Sequence, residues 1–141
     1  MVDLKEFEQK AADLRVLGMK ISIGQDTVYE KYWDEDCRRN IYSASKSFTS
    51  CAVGFAVQEG LIDLDERLVD AFKEDIPNNP DENLKKATVK DLLTMTLGQE
   101  KGFLMGKQRP RMEEQNWVKA SLAIPFVYEP GTHFVYNNVG P

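Results

Sequence analysis

The stretch RNIYSASKSFTSCAVGFAVQEG, residues 39–60, predicts a helix around which the rest of the chain can be interpreted. Its apolar residues recur on one wide helical stripe, which comprises Ala44, Phe48, Cys51, Ala52, Phe55 and Ala56. Gly60 predicts the end of the helix. Because the residues off the stripe are small, we expect the helix to be buried, with Cys51 inside the protein.

Ser43 and Lys46 lie at the start of this helix, three residues apart, and therefore share one of its faces. A serine hydroxyl becomes a good nucleophile only when a base takes its proton, and a lysine amine can serve as that base if burial or a second cation lowers its pKa. The helix N-terminus also offers free N–H groups to an oxyanion. The simpler interpretation is a helix-capping serine and a solvent-facing lysine, since S-x-x-K also arises by chance.

Tyr136 and Asn138 form a second candidate pair, placed after the turn Glu129-Pro-Gly-Thr132. A phenol close to an ammonium group can relay protons at a lowered pKa, and an asparagine amide can donate to a substrate carbonyl while accepting from a lysine. Taken alone, this pair is equally well explained as an aromatic at the edge of a core followed by a turn asparagine.

The N-terminal part predicts a helix followed by a β-hairpin, assigned to residues 1–34. One helical face, ending before Gly18, is formed by Leu4, Phe7, Ala11 and Leu14. Residues 19–23 alternate apolar and polar side chains as a strand does, residues 24–26 form a turn, and residues 27–33 form the partner strand.

The region 41–141 contains the nucleophile helix and is otherwise helical and loop-rich. Thr88 and Asp91 form a capping box for a further helix, and residues 98–111 are expected to be an exposed loop. The predicted fold class is α+β, with an antiparallel sheet edge beside a helical region. An isolated hairpin is marginal in water, so we expect further strands on this sheet beyond residue 141 and a fold incomplete at its C-terminus.

Composition excludes several classes of protein. The hydrophobic fraction of 42% and the charged fraction of 29% are typical of a globular domain, and the net charge of -5 gives no reason to expect nucleic acid as a partner. Two cysteines and a single histidine predict neither a disulfide framework nor a metal site. The N-terminus lacks an apolar signal segment and no run approaches a membrane span, so we expect a cytoplasmic protein, or an exported one whose signal has been removed.

The order of the motifs resembles the serine β-lactamase and penicillin-binding-protein superfamily, in its class C β-lactamase, D-Ala-D-Ala carboxypeptidase and esterase branch. Four segments carry the resemblance across roughly residues 20–140, and they read IYSASKSFTS, QEGLIDLDERLVDAF, VKDLLTMTLG and EPGTHFVYNN. The first contains the S-x-x-K motif and the last contains the Tyr-x-Asn motif. The chain as a whole thus resembles the N-terminal portion of a β-lactamase/transpeptidase-like domain.

The resemblance implies a role for each candidate residue. Ser43 would attack a carbonyl and form an acyl-enzyme, and its backbone N–H would be one oxyanion donor. Lys46 would accept or share the serine proton, Tyr136 would act as general base or acid, and Asn138 would orient the substrate amide and the lysine. Either Lys46 or Tyr136 could be the acylation base. The substrates would be β-lactams, D-Ala-D-Ala peptides or small esters, and no cofactor or metal is needed.

Three departures from the family pattern qualify this assignment. Met95 and Leu97 replace a histidine and a serine, for which we expect altered packing without loss of the chemistry. Asn137 stands where serine or alanine is commoner. The Lys-Thr-Gly or His-x-Gly strand that would supply a second oxyanion donor is missing, so we expect these 141 residues alone to be a poor catalyst.

Two alternatives to a hydrolase with turnover follow from the residues. The site could acylate without deacylating and act as a covalent penicillin sensor, or the chain could be a non-catalytic helical interaction protein with accidental motifs. His133, the sole histidine, allows in principle a Ser-His-Asp triad, although Ser43 already has a lysine at a suitable spacing. The oligomeric state and the substrate are not predicted by the sequence.

Overall fold

The computed structural model describes residues 3–139, which form two compact units that meet in sequence between Ile41 and Tyr42. The first unit contains helix α1 (Lys5–Ala11) and the antiparallel strands β1 (Gly18–Ile23) and β2 (Asp26–Tyr32). The second contains the five further helices described below. An antiparallel strand pair together with helices is compatible with the predicted α+β class.

The hairpin prediction is confirmed, but α1 is shorter than predicted. β1 and β2 pair from Gly18 opposite Tyr32 to Ile23 opposite Asp26, with an irregularity after Ile21. Helix α1 ends at Ala11, and Leu14, which the periodicity placed on its buried face, is largely exposed. A helix cannot continue through Arg15, because the φ of this residue is 54° and lies in the left-handed region.

Glu8 ties α1 to the hairpin within the first unit. Its carboxylate accepts hydrogen bonds from the Tyr29 hydroxyl at 2.9 Å and from the Lys31 ammonium. These two donors, Lys31 first, hold the pKa of Glu8 below its ordinary value. Phe7 also meets Trp33 edge to face, with ring centroids 6.0 Å apart. One short helix and two strands are thus joined by a charge-assisted contact and one aromatic pair.

Helix α2 spans Ser45–Gln58 and confirms the helix predicted from residues 39–60, but the prediction that it is buried is wrong. Every residue of α2 is at least partly exposed, with Phe48 at 70% and Phe55 at 65%. Cys51, expected inside the protein, is exposed as well. Periodicity groups the apolar residues on a face, but within the second unit, as far as the structure describes it, no helix covers that face.

The core of the second unit lies among four short helices: α3 (Leu68–Ala71), α4 (Glu82–Lys86), α5 (Val89–Leu93) and α6 (Trp117–Leu122). Its buried apolar residues are Leu68, Leu84, Ala87, Leu97, Leu122 and Phe126. The predicted capping box of α5 is confirmed, because the Thr88 hydroxyl accepts from the Asp91 N–H while the Asp91 carboxylate accepts from the Thr88 N–H.

Side chains at the ends of the helices hold the intervening loops on this core. Asp81 accepts from the Leu84 N–H with one carboxylate oxygen, which caps α4, and from the Phe126 N–H with the other. Asn83 donates to the Phe126 carbonyl at 2.8 Å. Within the described part of the chain, no helix is both long and apolar enough to cross a membrane.

The segment 98–111 is not the fully exposed loop that its composition predicted. Its last part is a 3₁₀ helix at Gly106–Arg111, whereas Gln99 and Leu104 are buried. Gly98 explains how the chain enters this segment, because its φ of 93° is left-handed and an added Cβ would overlap the Tyr128 carbonyl oxygen. Only glycine fits a backbone approach this close.

Candidate active site

The turn before α2 positions Ser43. Residues Tyr42–Ala44 form a 3₁₀ turn, and the Ser45 hydroxyl donates to the Tyr42 carbonyl at 2.7 Å. Tyr42 itself has a φ of 47°, an uncommon left-handed conformation for a residue with a side chain. Ser43 is exposed on this turn. Its hydroxyl is therefore presented to solvent at the N-terminal end of a helix, where a substrate can reach it.

Lys46 lies one helical turn further on and is the meeting point of the site. Its Nζ is 3.5 Å from the Ser43 hydroxyl, 2.7 Å from Asn138 Oδ1, and 5.5 Å from the centre of the Tyr136 ring. The contact to Asn138 joins residues that are 92 positions apart. All four candidate residues belong to the second unit, which brings them together.

Tyr136 is the candidate residue with a perturbed acidity. Its pKa lies below the ordinary value of 10.0, first because the Ser43 hydroxyl can hydrogen-bond to the phenolate. Partial desolvation works in the opposite direction, and the positive charge and hydrogen bond of Lys46 lower the pKa further. A phenol of lowered pKa beside a serine hydroxyl has the chemistry of a general base.

Asn138 is held in one orientation by its surroundings. Its Oδ1 accepts from Lys46, and its Nδ2 donates to the Leu104 carbonyl at 3.1 Å and to the Met105 sulfur at 3.2 Å. Because an ammonium can only donate and a carbonyl can only accept, the two ends of the amide cannot be exchanged. Leu104 has a φ of 55°, an uncommon left-handed conformation for a residue with a side chain.

The structural importance of Asn137, which lies between Tyr136 and Asn138, was underestimated from the sequence. Asn137 is buried and bonds to Gln99, also buried, with the two amides 3.0 Å apart. Gly102 passes so close that an added Cβ would overlap the Tyr136 carbonyl oxygen. A sequence signal existed in the consecutive asparagines, but the partner of Asn137 lies 38 positions earlier, in a segment expected to be exposed.

His133 belongs to a different cluster. Its ring stacks on Tyr128 with centroids 4.1 Å apart, and its Nδ1 lies 2.8 Å from the Thr132 hydroxyl. Among residues 3–139, no three His, Cys, Asp or Glu side chains are grouped so that they could hold a metal ion. Around Ser43, the four candidate residues supply a hydroxyl, an ammonium, a phenol and an amide.

Comparison with known proteins agrees with the resemblance. The family model described as Beta-lactamase matches residues 5–140, nearly the whole chain. The chain therefore belongs to the beta-lactamase family, within the superfamily of serine β-lactamases and penicillin-binding-protein-like enzymes. Neither the search of curated proteins nor that of solved structures found a match. Family membership indicates a function of the serine-hydrolase kind.

Proposed function

We propose that the protein is a serine hydrolase in which Ser43 forms an acyl-enzyme with a β-lactam, a D-Ala-D-Ala peptide or a small ester. The observation that carries the proposal is the position of the Lys46 ammonium, in contact with the Ser43 hydroxyl, the Asn138 amide and the Tyr136 ring at once. A chance S-x-x-K would have no reason to meet the Tyr-x-Asn segment in this way.

Tyr136 is the acylation base in this proposal. As Ser43 Oγ forms its bond to the substrate carbonyl carbon, its proton passes to the phenolate oxygen of Tyr136. Lys46 stabilises the phenolate by its charge and its hydrogen bond. The phenol then returns the proton to the leaving nitrogen or oxygen as the bond from the carbonyl carbon to that atom breaks.

Deacylation uses the same groups in reverse order. A water molecule gives a proton to the Tyr136 phenolate while its oxygen bonds to the ester carbonyl carbon. The bond between that carbon and Ser43 Oγ then breaks, and Oγ takes the proton back from the phenol. Atoms and charge balance over the cycle, so the proposal requires no further reactant.

Asn138 and the turn at Ser43 would orient the substrate. A thioether sulfur is a weak acceptor, so a substrate carbonyl can replace Met105 as the second acceptor of Asn138 Nδ2. The backbone N–H of Ser43 would donate to the oxyanion that forms on the attacked carbonyl. Both groups belong to residues whose side chains contact Lys46.

The test is covalent labelling of the 141-residue chain with a fluorescent penicillin and with a fluorophosphonate, followed by peptide mass mapping. We expect the label on Ser43, and its complete loss in Ser43→Ala. The matched control is Ser47→Ala, since Ser47 is an exposed serine in the first turn of α2. A folded wild-type chain that takes up neither probe would contradict the proposal.

A time course separates hydrolysis from permanent acylation. Release of product beyond one equivalent per chain indicates a hydrolase, whereas a stoichiometric burst without turnover indicates a covalent sensor that uses the same nucleophile. Labelling therefore tests the nucleophile, and turnover tests the second half of the cycle.

A further inference from the structure

A network of buried amides lies directly behind the two residues that face Lys46. Asn137 is 3% exposed, although it stands between Tyr136, which is 41% exposed, and the half-buried Asn138. Gln99, its partner, is 1% exposed. The segment thus turns one side chain into the protein and presents its neighbours toward the proposed nucleophile.

Every polar group of the two amides is used. Asn137 Oδ1 accepts from the backbone N–H groups of Phe103 at 3.0 Å and Val139 at 3.2 Å, while its Nδ2 donates to Gln99 Oε1 at 3.0 Å. Gln99 Nε2 donates in turn to the Ser121 carbonyl at 2.9 Å. Because an unpaired buried amide is costly, the network has one low-energy arrangement.

We propose that Asn137 and Gln99 are positioning residues that hold Tyr136 and Asn138 at working distance from Lys46 and Ser43. This inference rests on the proposed function, since it assigns a task to residues around that site. Asn137 acts on its neighbours through the chain: its side chain fixes its own backbone, and the two flanking side chains extend from that backbone. Gln99 acts one step further away, by anchoring Asn137 to the C-terminal part of α6.

The distances around Lys46 explain why such anchoring matters. The bond from Lys46 to Asn138 is 2.7 Å long, whereas the contact from Lys46 to Ser43 is already 3.5 Å. A shift of one ångström in the segment would break the first contact and separate the phenol from the serine hydroxyl. Displacements of that size can reduce an enzymatic rate by about 100-fold.

Other contacts keep the segment in place when the network is removed, so a variant can fold and still be informative. The Val135 N–H donates to the Met95 carbonyl at 3.0 Å, and the Asn138 N–H donates to the Phe103 carbonyl at 3.3 Å. These backbone bonds hold the general course of the chain. The amide network adds the fine placement of the two side chains.

The experiment uses Asn137→Leu, which keeps the volume of the side chain but removes its amide. Two quantities are measured: the rate of Ser43 labelling by the fluorophosphonate, and the pKa of Tyr136 from the ¹³Cζ signals of the five tyrosines, assigned with Tyr136→Phe. We expect the labelling rate to fall roughly 10- to 100-fold. The pKa should rise toward 10, because the phenol loses the Ser43 and Lys46 contacts.

Two further variants distinguish a positioning role of Asn137 from a general loss of stability. Ser121→Ala removes a buried hydroxyl that donates to the Trp117 carbonyl at 2.6 Å but keeps the backbone carbonyl that Gln99 uses. It should lower the midpoint of unfolding without changing the labelling rate or the pKa of Tyr136. In Asn137→Ser, the side chain is too short to reach Gln99. This variant should change the labelling rate and the pKa of Tyr136 in the same direction as Asn137→Leu, but by a smaller amount. If Asn137→Leu does not fold, Asn137→Ser decides the question.

The inference is overturned if folded Asn137 variants keep both quantities within about twofold of the wild type. It is also overturned if Ser121→Ala changes them as much as Asn137→Leu does. If the wild-type chain is not labelled at all, the proposed function fails, but the ¹³Cζ titration still reports whether the network positions Tyr136. The two ideas can therefore fail separately.

Discussion

Helix α2 and the segment 97–139 differ in a way that runs against expectation. The helix is the longest regular element described, with 14 residues, and each of them is at least partly exposed. Outside its two short helices the segment is irregular, yet this irregular part contains the buried residues Leu97, Gln99, Leu104, Phe126 and Asn137. Between these two regions, the longest helix is the more exposed one and the irregular backbone is the more buried one.

The difference has a physical explanation. A helix satisfies its own backbone hydrogen bonds and can remain exposed, whereas an irregular segment can be buried only if other groups bond its N–H and C=O groups. Here side chains supply those bonds: Asn137 accepts from two N–H groups, and Gln99 and Asn83 each donate to a carbonyl. The candidate site joins both kinds of structure, with Ser43 and Lys46 at the exposed helix and Tyr136 and Asn138 on the packed segment.

The largest expected effect concerns the phenol that the packed segment contributes. Since its pKa is lowered, the phenolate fraction of Tyr136 grows with pH and reaches one half at a pH below the ordinary value of 10.0. We expect the rate of Ser43 acylation to rise with pH through that pKa and then to level off. Tyr136→Phe should remove this limb and reduce the rate by about 10²–10⁴-fold, as measured by probe labelling between pH 6 and 10.

Tyr128→Phe is the control for this measurement. The ring of Tyr128 stacks on His133, and phenylalanine keeps an aromatic ring at that position while removing the hydroxyl. Its pH profile should match that of the wild type. A Tyr136→Phe variant that retains the rising limb would mean that another group is the base, with Lys46 the first candidate.

The comparison predicts a smaller but clear difference in stability. Leu84 is 1% exposed in the core, so Leu84→Ala should lower the free energy of unfolding by about 2–5 kcal/mol. Phe55 is a larger side chain on α2 and is 65% exposed, so Phe55→Ala should change it by no more than about 0.5 kcal/mol. Urea denaturation of both variants measures the difference. Equal losses would mean that the exposed face of α2 is covered in solution.

The smallest expected difference separates two glycines with left-handed φ angles. Gly60 follows α2 with a φ of 72° and open space around it, so Gly60→Ala should cost about 1 kcal/mol of stability through backbone conformation alone. Gly98 has a similar conformation, but a Cβ there would overlap the Tyr128 carbonyl oxygen, so Gly98→Ala should cost more. Thermal unfolding of the pair tests this, and a Gly60 variant as unstable as the Gly98 variant would contradict it.

Local features were predictable from the sequence because their causes are local. The alternation in residues 19–33, the helix after Ser43 and the capping box at Thr88 each depend on residues a few positions apart. The burial of α2 was predicted wrongly, because periodicity identifies a face but does not reveal whether another element covers it. The burial of Gln99 was missed for the opposite reason, since its partner Asn137 is distant in sequence.

The candidate site was predictable from the sequence only in part. The spacing of Ser43 and Lys46 was visible as a pattern, but their meeting with Tyr136 and Asn138 was expected from the family resemblance and not from any periodicity. The structure brings Lys46 to Asn138 and to the Tyr136 ring. The roles of these residues in catalysis stay predictions, and the labelling and titration experiments address them.

The close approach of Gly102 to the Tyr136 carbonyl has a consequence for evolution. Even a methyl group on residue 102 would displace the backbone of Tyr136, which carries the phenol. Steric overlap therefore prevents substitution of Gly102, although Gly102 itself has no chemical role. Descendants of the same ancestor that keep the phenol where it is should keep a glycine there too. A diverged sequence with another residue at the equivalent place would have to route this loop along a different path.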